Sequence, residues 1–345
     1  MREVRHDHDR LVENGRVRFG LFDRPIGDVN LDEADAFAPL PIPKLLRRLR
    51  LKEWQAFQIT HPRFFIIIAL FDAKLVTLAQ VKLYDRQTGI KHMLEKKLLP
   101  GSFKTPRNLL DSVCEWRRGG EFIRFHSCLN EGRISVDFHI EKTRKTPSVT
   151  ASLVADASTT TPMVVSIPFA ENRGMYSHKA LLPVEGAVTI GDERIDVPHG
   201  TGSLMTDDHK GYYGRIMTWD WLVGAAWRDG QLEGFNLTAN ASTDPERYHE
   251  NGFWRGGELH HLPPVTFTRD EESSPAVWTV RDKEGLVDVR FTTEVDGRLF
   301  MNLGVMESRY LGPFGTYEGS LRSPDGATLD ISGMFGMGER FWLKA

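Results

Sequence analysis

Alternation of apolar and polar residues with period two most restricts the fold of this chain, because it recurs from hairpin to hairpin and is satisfied by half-buried strands. Ile134, Val136, Phe138 and Ile140 point one way, while Ser135, Asp137 and His139 point the other. A turn at Asn130-Glu131-Gly132 pairs this strand with residues 122–128. Further hairpins are expected at Asp72-Ala73-Lys74, between 64–71 and 75–84, and at Gly191-Asp192, between 187–190 and 194–197. Later strands are expected at 277–281, 287–293, 298–305, 316–321 and 328–333, most of them bounded by Gly, Asp or Pro.

Helical signals are few. Residues 43–54 place Leu45, Leu46, Leu49 and Leu51 among five basic residues after Pro43, which suits a short surface helix. Residues 106–113 are a second short candidate. No repeat of 20–50 residues stands out, and about fifteen short strands exceed what one small barrel uses. The expected class is therefore all-β, with two barrel-like or sandwich-like lobes and a few short helices, divided into residues 1–190 and 191–345.

A chain of 345 residues buries a core well above the marginal size range. Its 44 basic and 47 acidic residues give a net charge of -3, so no global positive field holds a nucleic acid or an anionic bilayer. Cys114 and Cys128 lie outside any CxxC arrangement and read as buried free thiols. Residues 1–10 are charged and lack the apolar core of a signal peptide, so a cytoplasmic location is expected. The longest apolar run, residues 64–71, is about half the length of a membrane-crossing helix and reads as a core strand, so no integral membrane segment is expected.

Chemistry-bearing residues concentrate between Asp207 and Asn251. The first block is Asp207-Asp208-His209-Lys210-Gly211-Tyr212-Tyr213-Gly214-Arg215, closing on Trp219-Asp220-Trp221, and the second is Gly234-Phe235-Asn236-Leu237-Thr238-Ala239-Asn240, followed by Glu250-Asn251. A regular strand over 213–221 puts Tyr213, Arg215, Met217, Trp219 and Trp221 on one face. The turn Arg228-Asp229-Gly230 returns the chain, with Asn236, Thr238 and Asn240 sharing a face. Beside the aromatic face those amides and hydroxyl are fixed hydrogen-bonding groups for a ligand; on an exterior strand they are ordinary amphipathicity. Asp208, His209, Lys210 and Tyr213 are acid/base candidates, because burial tunes such groups toward neutral pH. His249, His260 and His261, with Glu250 and Glu258, follow no zinc spacing, and no metal ligand is assigned. GxSxG, Walker A and a strand-to-helix GxGxxG are absent from the sequence, and no cofactor is expected.

The ordered series Gly20-Leu21-Phe22-Asp23, Pro25-Ile26-Gly27, Phe71-Asp72-Ala73-Lys74, Tyr176-Ser177-His178-Lys179, Asp208-His209-Lys210-Gly211-Tyr212-Tyr213, Gly234-Phe235-Asn236-Leu237-Thr238 and Glu250-Asn251 resembles the domain-of-unknown-function family 2804. Gly214 departs from the proline expected after the paired tyrosines. More distantly, the β-rich, Trp-punctuated pattern looks like the lipocalin-like architecture of the carotenoid 1,2-hydratase and secreted-antigen superfamily. That likeness implies two calycin-like lobes, and the group includes cofactor-independent enzymes acting on hydrophobic polyenes and terpenoids.

The leading expectation is a pocket for a hydrophobic small molecule, with cofactor-free hydration, dehydration or isomerisation. A protonated Asp208 donates to a double bond or a departing hydroxyl, and Trp219 and Trp221 stabilise cationic charge. Tyr213 or Asn236 positions water, Arg215 orients a polar end, and His209, Lys210, Thr238, Asn240, Glu250 and Asn251 complete the binding set. Two other readings stand beside it: a non-catalytic carrier or sensor of a lipid-like ligand, and a structural or interaction protein whose polar blocks stitch the fold together.

Overall fold

The computed structural model describes residues 4–37, 42–74, 76–302 and 307–344. It is all-β, as the alternation requires, and the chain divides into two compact units. Unit 1 runs through Ser166 and resumes over Glu171–Tyr212; unit 2 takes Ile167–Ala170 and the chain from Tyr213 onward. The division falls at Tyr212/Tyr213. Positions 190 and 191 instead lie at the hairpin between Leu181–Ile190 and Glu193–Tyr212, two adjacent strands of unit 1.

Unit 1 is organised around the long strand Glu193–Tyr212. On one side its residues 203–212 pair antiparallel with Leu51–Thr60, which leads through Phe64–Asp72 and Thr77–Asp85 to Ile90–Leu98. On the other side Leu181–Ile190 leads through Val149–Asp156, Arg133–Ile140 and Glu121–Cys128 to Ser112–Arg118. The sheet curls, because Leu94 near one end and Trp116 near the other pack into the same apolar core as Phe57, Ile68, Phe125 and Leu204. Strand Arg133–Ile140 buries Ile134, Val136, Phe138 and Ile140, as its alternation predicts. Gly186 marks a register shift in Leu181–Ile190: its φ is +136°, and a Cβ there would lie 2.1 Å from the Ser152 carbonyl oxygen.

In unit 2, Ile216–Arg228 lies between Gln231–Asn240 and Phe335–Lys344. The sheet continues from Phe335–Lys344 through Phe314–Arg322, Val287–Val295 and Val277–Arg281 to Thr266–Asp270. Asp229 and Gly230 both have positive φ, 48° and 74°, as a tight hairpin turn with the right twist demands. Leu222, Phe235, Leu237, Trp278, Phe291 and Tyr317 form the centre of its core.

The two helical expectations need correction. Only Lys44–Arg48 is helical after Pro43; Leu51 opens a ten-residue strand paired on both sides, and those two ladders outweigh the local helical pattern. Residues 106–111 form a non-helical turn that leads into strand Ser112–Arg118, because the Asn108 side chain accepts the backbone N–H groups of Leu110 and Asp111 and its carbonyl accepts the Ser112 hydroxyl. The strand expected from Tyr213 begins at Ile216. Leu75 and residues 303–305, placed in strands by the sequence, lie outside the described residues.

Candidate active site

The end of the long strand holds a cluster of buried polar residues, and its cross-strand partners define two faces. Asp208 is opposite Gln55 on one side and His178 on the other; Lys210 is opposite Glu53 and Tyr176; His209 is opposite Trp54 and Ser177. Alternation therefore groups Asp208 and Lys210 with Leu204, which belongs to the apolar core. Tyr176, Tyr212 and Leu51 pack instead into a second apolar cluster with Phe22, Ile26 and Leu31. Along this inward face, Glu53, Gln55, His178, Asp208 and Lys210 form a polar belt between two apolar clusters.

Charge in the belt is paired in a chain. The Lys210 ammonium, 1% exposed, meets a Glu53 carboxylate oxygen at 2.9 Å, and Lys74 joins the other Glu53 oxygen to Asp72, which it meets at 2.7 Å. Burial opposes ionisation of Glu53, but Lys210 and Lys74 outweigh it and hold its carboxyl down to about 2. Asp208 has no such dedicated partner. Burial pushes its carboxyl up to about 6, against the Lys210 charge and the adjoining Gln55 amide, and its Oδ1 has no hydrogen-bond partner.

His178 is fully buried, and burial holds its imidazole down to about 4, so the ring is neutral near pH 7. Its Nδ1 lies 3.4 Å from the Thr206 hydroxyl oxygen, which itself accepts the Ala180 N–H at 2.7 Å. Its Nε2 has no partner. Cys114, on Ser112–Arg118, feels the charges of Lys210, Asp208, Glu53 and Asp72, yet burial pushes its thiol up to about 12, which leaves it a neutral wall. The belt thus combines a carboxyl that holds its proton to about pH 6 with a neutral imidazole bearing a bare nitrogen.

On the opposite face of the same strand the charged and aromatic groups are engaged with one another. Asp207 accepts from Lys179 at 2.8 Å and from the Trp54 indole at 3.1 Å, and His209 stacks on Trp54 with ring centroids 3.8 Å apart. Burial holds the His209 imidazole down to about 3 despite the Asp207 charge. His209 is therefore separated by the sheet from its sequence neighbours Asp208 and Lys210.

The remaining candidate residues belong to unit 2. Tyr213 is buried, with its ring 5.0 Å from Phe169 and 6.0 Å from Trp219. Arg215 is exposed in the bend before the strand. Trp219 is opposite Asn240, and Trp221 opposite Thr238, so the aromatic and amide-hydroxyl residues do share one face, on the side away from Leu222 and the core of the unit. Their polar atoms bond one another: the Trp221 indole donates to Asn236 Oδ1 at 2.6 Å, Asn236 donates to the Glu250 carbonyl, and the Thr238 N–H donates to Asn251 Oδ1 at 2.6 Å. The Trp219 indole donates to Glu339 at 2.6 Å and its ring stacks on Phe341.

Sequence reasoning placed Asp208 and Lys210 in the site and left out Glu53, Gln55, Lys74 and His178. The signal for two of these was present: Lys74 closes the motif Phe71-Asp72-Ala73-Lys74 and His178 lies within Tyr176-Ser177-His178-Lys179. What brings them to Asp208 is strand pairing over more than a hundred residues for the Leu51–Thr60 partner, which no local spacing announces.

Among solved structures, the chain is similar in fold to CghA with Sch210972, with a TM-score of 0.54 at 11% identity over 85% of this chain and 88% of that one. The likeness to CghA is one of fold, in agreement with the β-rich architecture expected from the sequence. Kievitone hydratase from Nectria haematococca matches with a TM-score of 0.49 at 13% identity over 85% and 89% of the two chains. A putative AttH from Nitrosomonas europaea matches with 0.48 at 16% over 89% and 98%. No curated protein matches the sequence. Residues 1–344 match the model described as Domain of unknown function (DUF2804), and the chain belongs to that family.

Proposed function

We propose that the protein binds a hydrophobic small molecule inside unit 1 and catalyses cofactor-independent acid/base chemistry on it, the addition or removal of water at a carbon–carbon double bond. The observation that carries this reading is the pairing of Asp208, whose carboxyl is pushed up to about 6, with the neutral imidazole of His178 on the next strand. Directly opposed side chains begin roughly 4.5–5.5 Å apart, close enough for both to reach one substrate.

In the hydration direction, Asp208 gives its proton to one alkene carbon as a water oxygen bonds to the other, and His178 Nε2 takes the proton that water loses. Proton transfer from His178 to Asp208 restores both groups, and one water has been added with no redox change. Dehydration is the reverse. The Lys210–Glu53 ion pair lies beside Asp208, with the Lys210 charge favouring release of its proton, and the flanking apolar clusters supply the surface a hydrophobic ligand needs. The fold-level likeness to CghA, whose structure contains Sch210972, adds support for a small-molecule ligand. In unit 2, the residues between Trp219 and Asn251 that bond one another are assigned a structural role.

Mass spectrometry of small molecules released from gently purified protein tests the reading. A recurring apolar compound carrying an isolated double bond or a hydroxyl group supports it. A clean blank from both the wild-type protein and Asp208→Asn overturns it.

A further inference from the structure

A second cluster of unit 1 lies on the outer side of the sheet, away from the belt. In strand Glu121–Cys128, Ile123 and Phe125 face the core, so His126 and Cys128 share the opposite face. Asp111 stands immediately before strand Ser112–Arg118, whose Ser112 is paired with Ser127. Cys128 Sγ is 2.9 Å from His126 Nε2 and 3.8 Å from Asp111 Oδ1, and the His126 Nε2 to Asp111 Oδ1 distance is 3.7 Å.

We infer that Asp111, His126 and Cys128 form a binding site for a late first-row divalent cation, with Zn²⁺ the best fit. Tetrahedral zinc with bonds of about 2.3 Å to sulfur and about 2.0–2.2 Å to nitrogen and oxygen has donor-to-donor edges of roughly 3.3–3.6 Å. The two separations to Asp111, 3.7 and 3.8 Å, lie just above that range, and the 2.9 Å between Cys128 Sγ and His126 Nε2 widens to it by side-chain rotation as an ion takes the place of their mutual contact. The donor set suits the ion: a thiolate and a carboxylate balance its charge, and a neutral imidazole completes three ligands of the soft and borderline types zinc prefers.

The frame is built before any ion arrives. The Leu129 N–H donates to the Leu109 carbonyl and the Asn130 N–H to the Leu110 carbonyl, both at 3.1 Å, which ties the turn bearing Asp111 to the strand end bearing Cys128. The Asn108 side chain fixes the turn from within. Cys128 is 6% exposed whereas the Asp111 side chain is 80% exposed, so the fourth coordination position opens to solvent and takes water or an incoming ligand. The ion would clamp the turn to the sheet.

Cobalt(II), which reports thiolate ligation by its absorption, is the probe. Titrated into the full chain, Co²⁺ should produce a sulfur-to-metal charge-transfer band and tetrahedral visible bands that Zn²⁺ then removes. Cys128→Ser should abolish the charge-transfer band, and His126→Ala and Asp111→Asn should each weaken binding by roughly tenfold or more. Cys114→Ala, which alters the other thiol, should leave the band in place. Circular dichroism of each variant confirms its fold. Absence of the charge-transfer band at saturating Co²⁺, or wild-type Co²⁺ affinity in folded Cys128→Ser, overturns the site.

Discussion

Asp208 and His178 face each other across adjacent strands, each buried and each with one side-chain polar atom that no hydrogen bond satisfies. Buried polar atoms are nearly always paired, so a bare oxygen and a bare nitrogen on directly opposed residues are what the polar group of the proposed ligand would satisfy. Burial moves the two groups in opposite directions on the proton scale, up to about 6 for the acid and down to about 4 for the base. Near pH 5 the carboxyl is therefore protonated while the imidazole is neutral.

The pH dependence of turnover follows from that ordering. The proposed reaction requires His178 neutral and Asp208 protonated, so its rate should rise with pH through about 4, fall above about 6, and peak between them. Initial rates across pH 3.5 to 8 (about that span suffices) check this; a profile still rising at neutral pH contradicts the assignment of Asp208 as the acid.

Stability carries the same signature without any substrate. Asp208 binds its proton more tightly in the folded chain than in the unfolded one, so its contribution to stability is lost as pH rises from about 4 through about 6. Asp208→Asn removes that loss. Its stability relative to wild type should therefore grow between pH 4 and pH 7, by on the order of 2–3 kcal/mol. His178 has a depressed folded value, so its contribution is lost as pH falls through about 4, and His178→Gln should flatten the acid limb. Urea unfolding at a series of pH values measures both.

Removing the Lys210 ammonium tests the belt as a paired network. Lys210→Met leaves Glu53 buried with Lys74 as its remaining counter-ion, and should cost about 3 kcal/mol, the lower end for breaking a buried pair. The double variant Lys210→Met/Glu53→Gln should recover part of that loss. Additive costs in a double-mutant cycle contradict the pairing.

The polar block of unit 2 makes the complementary case. Asn236→Ala removes the hydrogen bonds that Asn236 makes with the Trp221 indole and the Glu250 carbonyl, and should destabilise the chain by roughly 1–3 kcal/mol. The amount of compound released from the purified protein should be unchanged. Loss of that compound from a folded Asn236→Ala protein would return the block to the binding site.

The strands of this fold were legible where one face meets the core and the other meets solvent, as in residues 133–140. They were less so where both faces are buried: the run Thr206–Tyr212 is buried throughout, and its polar residues look like a loop block rather than the end of a twenty-residue strand. The block reading groups Asp208 with Trp219 and Asn236, whereas strand register sets Asp208 opposite Gln55 and His178 and leaves Trp219 and Asn236 on strands of the other unit. Asp208 stood out because a buried carboxyl is costly. Its neighbours Gln55 and His178 are commonplace residues whose importance comes only from the register that sets them opposite it.

The account turns on the proton of Asp208, and the most direct measurement is the single-turnover rate of the compound released from the protein, compared between wild type and Asp208→Asn near pH 5. Loss of general-acid catalysis predicts a fall of about a hundredfold or more, with binding of the compound retained. An unchanged rate in the folded variant contradicts the central claim.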